Sequence, residues 1–133
     1  MRQKFKRSFN ELKNIVTMTE TVFREQGLEP SLRNVVDLAT EELFVNMVTY
    51  NTESSEDILI EMKPHAVGLE VSLTDYDVER FDPTRAANVD VDAPLNERAA
   101  GGLGLYLVLK MVDSIHYEYR NRQSKITFIV DRK

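Results

Sequence analysis

Apolar residues recur at helical spacing in two consecutive stretches near the start of this chain. The first stretch covers residues 12–23 and the second covers residues 32–50. A Ser8-x-x-Glu11 start signal precedes the first stretch, and Pro30 opens the second. Gly27 lies between them and is expected to end the first helix. The pattern therefore predicts two helices in succession.

Most of the remaining apolar positions alternate with polar ones, as in half-buried strands. The predicted strands cover residues 3–8, 57–63, 67–75, 114–120 and 125–130, and a third helix covers about 103–112. Pro64, His65 and Ala66 are expected to form the turn between the second and third strands. The order β-α-α-β-β-loop-α-β-β predicts an α/β fold of the α+β type. It would be a two-layer sandwich in which three helices cover one face of a mixed, mostly antiparallel sheet.

The segment from residue 76 to residue 100 fits neither pattern. It contains Pro83 and Pro94, several acidic residues and few large apolar ones. Because it is longer than an ordinary connection in a compact domain, it favours a functional lid or a binding loop.

Composition narrows the class of protein. With 133 residues the chain is expected to be one domain, residues 1–133. Its net charge of -5 and the lack of a basic stripe argue against nucleic acid as a partner. We interpret the basic run MRQKFKR as an edge strand with solvated lysines. No apolar run is long enough for a membrane span, and the absence of cysteine weakly favours a cytoplasmic location.

Two polar residues lie on the apolar side of the second predicted helix. That side carries Leu32, Val35, Val36, Ala39, Leu43, Met47 and Tyr50. Glu42 and Asn46 fall on the same side, one turn apart. A buried carboxylate and a buried amide are costly unless they are paired, and their oxygens suit Mg²⁺. The alternative is that both residues border the helix–sheet interface and bond to the backbone.

Glycines gather where the third helix should begin. Gly101, Gly102 and Gly104 fall there, although glycine costs about 1 kcal/mol relative to alanine inside a helix. Free N–H groups at a helix start can surround a phosphate, so the cluster predicts an anion site, with a simple hinge as the alternative. Asp75, at a strand end, could accept a hydrogen bond from an exocyclic amine such as that of adenine, or it could be an ordinary turn residue.

Three sequence segments resemble the conserved boxes of a known superfamily. EELFVN resembles the N box of the GHKL ATP-binding domains, and TDYDVERFDPT resembles their first glycine box. RAAGGLGLYLVLKMVDSIHYEY is very similar to their second glycine box with the following helix and strand. The order and separation of the segments resemble the anti-sigma factor serine kinases of the RsbW type. The resemblance covers about residue 31 to the C-terminus.

The resemblance implies a site for ATP and Mg²⁺. Asn46 would bind Mg²⁺, Glu42 would orient or deprotonate the attacking hydroxyl, and Asp75 would receive the adenine amino group. The remaining implied nucleotide-binding residues are Gly101, Gly102, Leu103, Gly104 and Thr127. Residues 76–100 would form the ATP lid. The implied partners are a sigma factor and a STAS-type antagonist protein, and the family analogy suggests a homodimer.

Two functions remain open at this point. The first is a kinase that phosphorylates a serine or threonine of the antagonist and otherwise sequesters the sigma factor. The second is a protein-binding switch with weak or no nucleotide binding, because Asp77 stands where the family's first glycine box has glycine. The catalytic part of a sensor histidine kinase fits less well, since no helix pair with a phospho-acceptor histidine precedes the domain.

Overall fold

The structure, a computed structural model, describes residues 1–66, 68–80 and 102–131. In these ranges the strands are β1 (Arg2–Phe5), β2 (Ile58–His65), β3 (Gly68–Tyr76), β4 (Ser114–Arg120) and β5 (Gln123–Asp131). The helices are α1 (Leu12–Gln26), α2 (Arg33–Tyr50) and α3 (Gly102–Met111). The strands form one sheet of order β1-β2-β3-β5-β4, and each described pairing is antiparallel. The predicted α+β sandwich and its element order are confirmed.

The predicted helix boundaries are close to the observed ones. The Ser8 side chain accepts a hydrogen bond from the Asn10 amide at 3.2 Å, and a 3-10 turn over Phe9–Glu11 leads into α1. Gly27 ends α1 with a φ of 59°, a conformation that glycine adopts without steric cost. A second 3-10 turn, Pro30–Leu32, leads into α2.

The core lies between the helices and one face of the sheet. In the strand register Leu73 faces Ile60 on one side and Ile126 on the other, and all three are fully buried. Val71 and Phe128 form an equivalent pair. Since alternate residues of a strand point to opposite faces, the positions between these core residues lie on the second face of the sheet, where Ser72 and Thr74 are also buried.

Helix α2 is buried over a wider arc than its apolar pattern predicts. Thr40 and Phe44 are buried although they lie outside the predicted apolar side, whereas Tyr50 is 37% exposed. The reason is that α2 contacts α1, α3 and the sheet, so that more than one of its sides is covered.

The turn between β2 and β3 is shorter than predicted. Pro64 and His65 belong to β2, where they pair with Leu69 and Gly68. Proline is tolerated at this position because β1 pairs with β2 only as far as Glu61, which leaves the end of β2 without a neighbour on that side.

None of the helices in the described ranges has the length and apolar character needed to cross a membrane.

The burial of Phe44 provides a test of the α2 packing. Replacing a fully buried phenylalanine by alanine leaves a cavity, so we expect Phe44→Ala to lower the free energy of unfolding by about 3–5 kcal/mol. Urea unfolding followed by circular dichroism measures the change.

Phe9→Ala is the matched control, because the Phe9 side chain is 54% exposed. Its effect should stay within about 0.5 kcal/mol. Equal losses in the two variants would contradict the observed packing of α2.

Candidate functional site

The carboxylate of Glu42 on α2 packs directly against Gly104 in the first turn of α3. A Cβ atom at position 104 would overlap the carboxyl carbon and both oxygens of Glu42. The contact therefore depends on the missing side chain of Gly104. It brings together a helix-borne carboxylate and the glycine-containing helix start that the sequence singles out.

The environment of Glu42 favours its protonated form. The side chain is half-buried, and burial raises the pKa of its carboxyl group above the usual value, with a smaller contribution from the charge of neighbouring Glu41. A raised pKa moves a carboxylate toward the range in which it can accept and release protons near neutral pH.

Asn46 lies one helical turn beyond Glu42 on the same helix and is 7% exposed. Its amide oxygen is a ligand type that Mg²⁺ accepts, together with water and phosphate oxygens. Within the described ranges no group of three or more His, Cys, Asp or Glu side chains is placed to hold a metal ion.

Helix α3 begins at Gly102 beside Glu42, so the backbone of Gly102, Leu103 and Gly104 forms its first turn. The first N–H groups of a helix have no partners within the helix and carry partial positive charge. A phosphate at this end would meet backbone donors next to Glu42. Gly101 and residues 81–100 of the predicted lid lie outside the described residues.

Asp75 at the end of β3 is fully buried, and groups of the protein itself surround it. The Asn51 side-chain amide donates a hydrogen bond to its Oδ2 atom at 2.6 Å, and the Arg7 guanidinium forms an ion pair with its Oδ1 atom. Arg7 also donates to the Met47 carbonyl at 3.4 Å. Arg7 is therefore turned toward the interior, whereas Lys4 and Lys6 of the same basic run are exposed, as predicted.

Burial lowers the pKa of Arg7 from its usual value. The nearby charges of Glu53, Asp57 and Glu56 act in the opposite direction. A contact between Arg7 and Asp75 has no local sequence signal, because the two residues meet only after β1 and β3 are placed in the sheet. Reasoning from periodicity therefore missed it.

Asp77 adopts the backbone conformation that a glycine would favour at its position. Its φ is 56°, and aspartate tolerates this left-handed region better than most residues do. The side chain is exposed and accepts a hydrogen bond from Arg122 Nε at 3.0 Å. Arg122 belongs to the two-residue turn between β4 and β5, and its carbonyl also accepts a hydrogen bond from the Val78 amide.

Thr127 pairs with Ser72 and His116 and lies on the face of the sheet opposite the helices. Asp75 lies on the face toward the helices, so the register does not bring Thr127 and Asp75 together on one face. A role of Thr127 near a bound base stays a prediction. The residue of β5 opposite Asp75 is Ser124, which is 4% exposed. The alternation of apolar residues along β5 indicates which of its positions face the helices. Only the strand register shows that Ser124, among these positions, lies opposite Asp75.

The fold and this geometry define a two-layer domain in which a carboxylate on one helix contacts the glycine-containing start of another, with an amide one turn further along the first helix. The chain belongs to the histidine kinase-like ATPase domain family, whose family model matches residues 5–130. No curated protein matches the sequence. Among solved structures, it is similar to a chain in the crystal structure of the SiaB–SiaC complex from Pseudomonas aeruginosa. The identity is 18% and the TM-score 0.70, over 98% of this chain and 88% of that chain. This likeness shows a shared fold.

The raised pKa of Glu42 predicts a pH dependence of stability. A carboxyl group whose pKa is higher in the folded state than in the unfolded state contributes stability at low pH, and this contribution is lost as the pH rises through the folded pKa. Glu42→Gln cannot ionise. The stability of the wild type relative to Glu42→Gln should therefore fall as the pH increases from about 4 and then level off above the folded pKa.

Urea unfolding at a series of pH values measures this difference. Glu20→Gln, which removes an exposed carboxylate of α1, is the control and should track the wild type at every pH. A constant difference between the wild type and Glu42→Gln would contradict the buried environment of Glu42.

The left-handed backbone at Asp77 is tested by two substitutions that both remove the pairing with Arg122. Asp77→Gly keeps the backbone conformation without strain, whereas Asp77→Ala places a Cβ atom in the left-handed region. Asp77→Ala should be less stable than Asp77→Gly by about 1 kcal/mol in thermal or urea unfolding. Equal stabilities would argue against a positive φ at this position.

Proposed function

We propose that this protein is an ATP-binding regulator of the anti-sigma factor type that phosphorylates a serine or threonine on an antagonist protein and sequesters a sigma factor. The observation that carries the proposal is the packing of the Glu42 carboxylate against Gly104 at the start of α3. Membership of the histidine kinase-like ATPase domain family supports the ATP-binding part of this proposal.

The residues present fit a magnesium nucleotide. Asn46 offers a hard oxygen ligand, and the start of α3 offers unpaired N–H donors for phosphate oxygens. Gly104 leaves room for the Glu42 carboxylate where any side chain would displace it. When bound, MgATP would supply the transferable phosphoryl group and the positive charge that offsets its oxygens.

Glu42 would act on the nucleophile. Its carboxylate is half-buried beside the helix start, where it can orient a serine or threonine hydroxyl and accept its proton. The raised pKa of the group is suited to this exchange. The backbone donors of α3 would hold the phosphate chain in place, and little further covalent chemistry is required of the protein.

The partners are part of the proposal. A similar solved structure is that of the SiaB–SiaC complex, and we propose by analogy that the present chain also forms a complex with a partner protein, of the STAS-type antagonist class. A sigma factor as second partner, a homodimer and a cytoplasmic location extend the same analogy.

A second candidate function is a protein-binding switch without catalysis. The burial of Asp75 under Arg7 and Asn51 favours it, because this carboxylate is not open to a nucleotide base. Nucleotide binding separates the two candidates.

Calorimetry with ATP is the first test. We expect the wild type to bind ATP more tightly with Mg²⁺ than with EDTA, because Asn46 offers an oxygen to the metal. In Asn46→Ala this difference should disappear, while Asn34→Ala, an exposed position on α2, should keep it. A wild type that gives neither heat nor a thermal shift at millimolar ATP would favour the protein-binding switch.

The transfer step is tested with labelled ATP and a STAS-type antagonist protein from the same genome. Loss of a general base typically costs 10²–10⁴-fold, so we expect Glu42→Gln to lower the transfer rate by about that factor with nearly unchanged ATP affinity. Gly104→Ala should also lower the transfer rate, because the added methyl group displaces the Glu42 carboxylate.

Leu107→Ala, on the exposed side of α3, controls for effects on the helix itself and should transfer phosphate at the wild-type rate. Glu42→Gln that transfers phosphate as fast as the wild type would remove Glu42 from the proposed role.

A further inference from the structure

The Asp75 carboxylate is closed to any ligand in the structure. One of its oxygens accepts a hydrogen bond from Asn51, the other contacts Arg7, and the residue has no exposed surface. An exocyclic amine of a nucleobase can reach this carboxylate only after one of these groups has moved. This inference rests on the proposed function, since it concerns the base end of the same nucleotide site.

Arg7 is the group that can leave at the lower cost. Asn51 caps the C-terminal end of α2, where its backbone N–H bonds to the Met47 carbonyl at 3.0 Å. Arg7 lies in the short segment between β1 and the following 3-10 turn, and its side chain retains 12% exposure. Its long side chain can swing away from Asp75 by rotation about its own bonds.

The backbone around Arg7 does not need to move with the side chain. The Lys6 amide donates to Glu11 Oε2 at 2.8 Å, and the Ser8 amide donates to the Lys6 carbonyl at 2.8 Å. These bonds hold the segment independently of the guanidinium. Release of Arg7 from Asp75 would therefore leave β1 paired in the sheet.

Acidic residues near Arg7 offer the released guanidinium alternative partners for an ion pair. Glu53, Glu56 and Asp57 act on Arg7 electrostatically, and all three are exposed. Departure of Arg7 alone would leave the buried Asp75 carboxylate without its counter-charge, which is costly, so the exchange requires that the incoming donor take the place of Arg7 at Asp75. Asp75 would then keep the hydrogen bond from Asn51 and accept a new one from the exocyclic amine of the base.

We propose that Arg7 is a built-in competitor for the nucleotide base. It occupies the carboxylate of Asp75 in the free protein and has to be displaced when a base with an exocyclic amine binds. The apparent affinity for ATP is then reduced by the fraction of molecules in which Arg7 is bound to Asp75. A ligand that carries phosphates but no base does not encounter this competition.

The experiment compares MgATP with magnesium and inorganic triphosphate, which has no base. Calorimetric titrations are made with the wild type, with Arg7→Met and with Arg33→Met. Arg33 is a matched control, because it also pairs with an acidic residue, Asp37, at 2.9 Å, on the surface of α2. We expect Arg7→Met to bind ATP about fivefold or more tightly than the wild type, with triphosphate affinity unchanged, and Arg33→Met to match the wild type.

The outcomes are distinguishable. If Arg7→Met binds ATP no more tightly than the wild type, or if its affinity for triphosphate rises equally, the competition with the base is refuted while the proposed function stands. If the wild type and both variants bind neither ligand, the proposed function fails, and this inference fails with it.

A measurement on the wild type covers the case in which Arg7→Met does not fold, since it leaves a buried carboxylate without its counter-charge. The guanidinium N–H signals of Arg7 can be followed by nitrogen-15 NMR and assigned by their loss in Arg7→Lys. Saturating ATP should expose these protons to rapid exchange with water, whereas triphosphate should not. Arg7 signals that remain protected at saturating ATP overturn the proposal.

Discussion

The contact between the Glu42 carboxylate and Gly104 is the constraint on which the site depends. A side chain at position 104 would displace the Glu42 carboxylate, which is the terminal group of a flexible side chain. Burial raises the pKa of this carboxyl group in its observed position. The position of the carboxylate at the start of α3 therefore depends on the missing Cβ atom of Gly104.

A second constraint is the buried charge of Asp75. An isolated carboxylate cannot be buried at acceptable cost, and this one is balanced by the Arg7 guanidinium and by the Asn51 amide. Asn51 also ends α2, so one residue connects the end of the helix with the end of β3. The N-terminal segment is in this way tied to the region that would hold a nucleotide base. A substitution or displacement in β1 would therefore act on Asp75 through the side chain of Arg7.

The parts of the structure that follow from local patterns could be predicted from the sequence. Helical periodicity, the Ser8 cap and Gly27 determine α1 with neighbours that are close in the chain. The spacing of Glu42 and Asn46 likewise follows from the pitch of one helix, and both positions prove to be at least partly buried.

The parts that depend on register and on distant neighbours could not be predicted in the same way. Phe44 is buried because helices and strands from elsewhere in the chain surround α2. The residue of β5 that lies opposite Asp75 is Ser124, and only the strand register identifies it. The Arg7–Asp75 pair joins residues that are remote in sequence, and neither residue type signals the other.

Asp77 and Arg7 have different consequences for the proposed site. Asp77 preserves the left-handed backbone of a glycine and directs its charge to Arg122 at the surface, so the path of the chain is retained. Arg7 instead changes what the Asp75 carboxylate can accept. For the proposed nucleotide site, Arg7 therefore bears more directly on the base than the altered glycine position does.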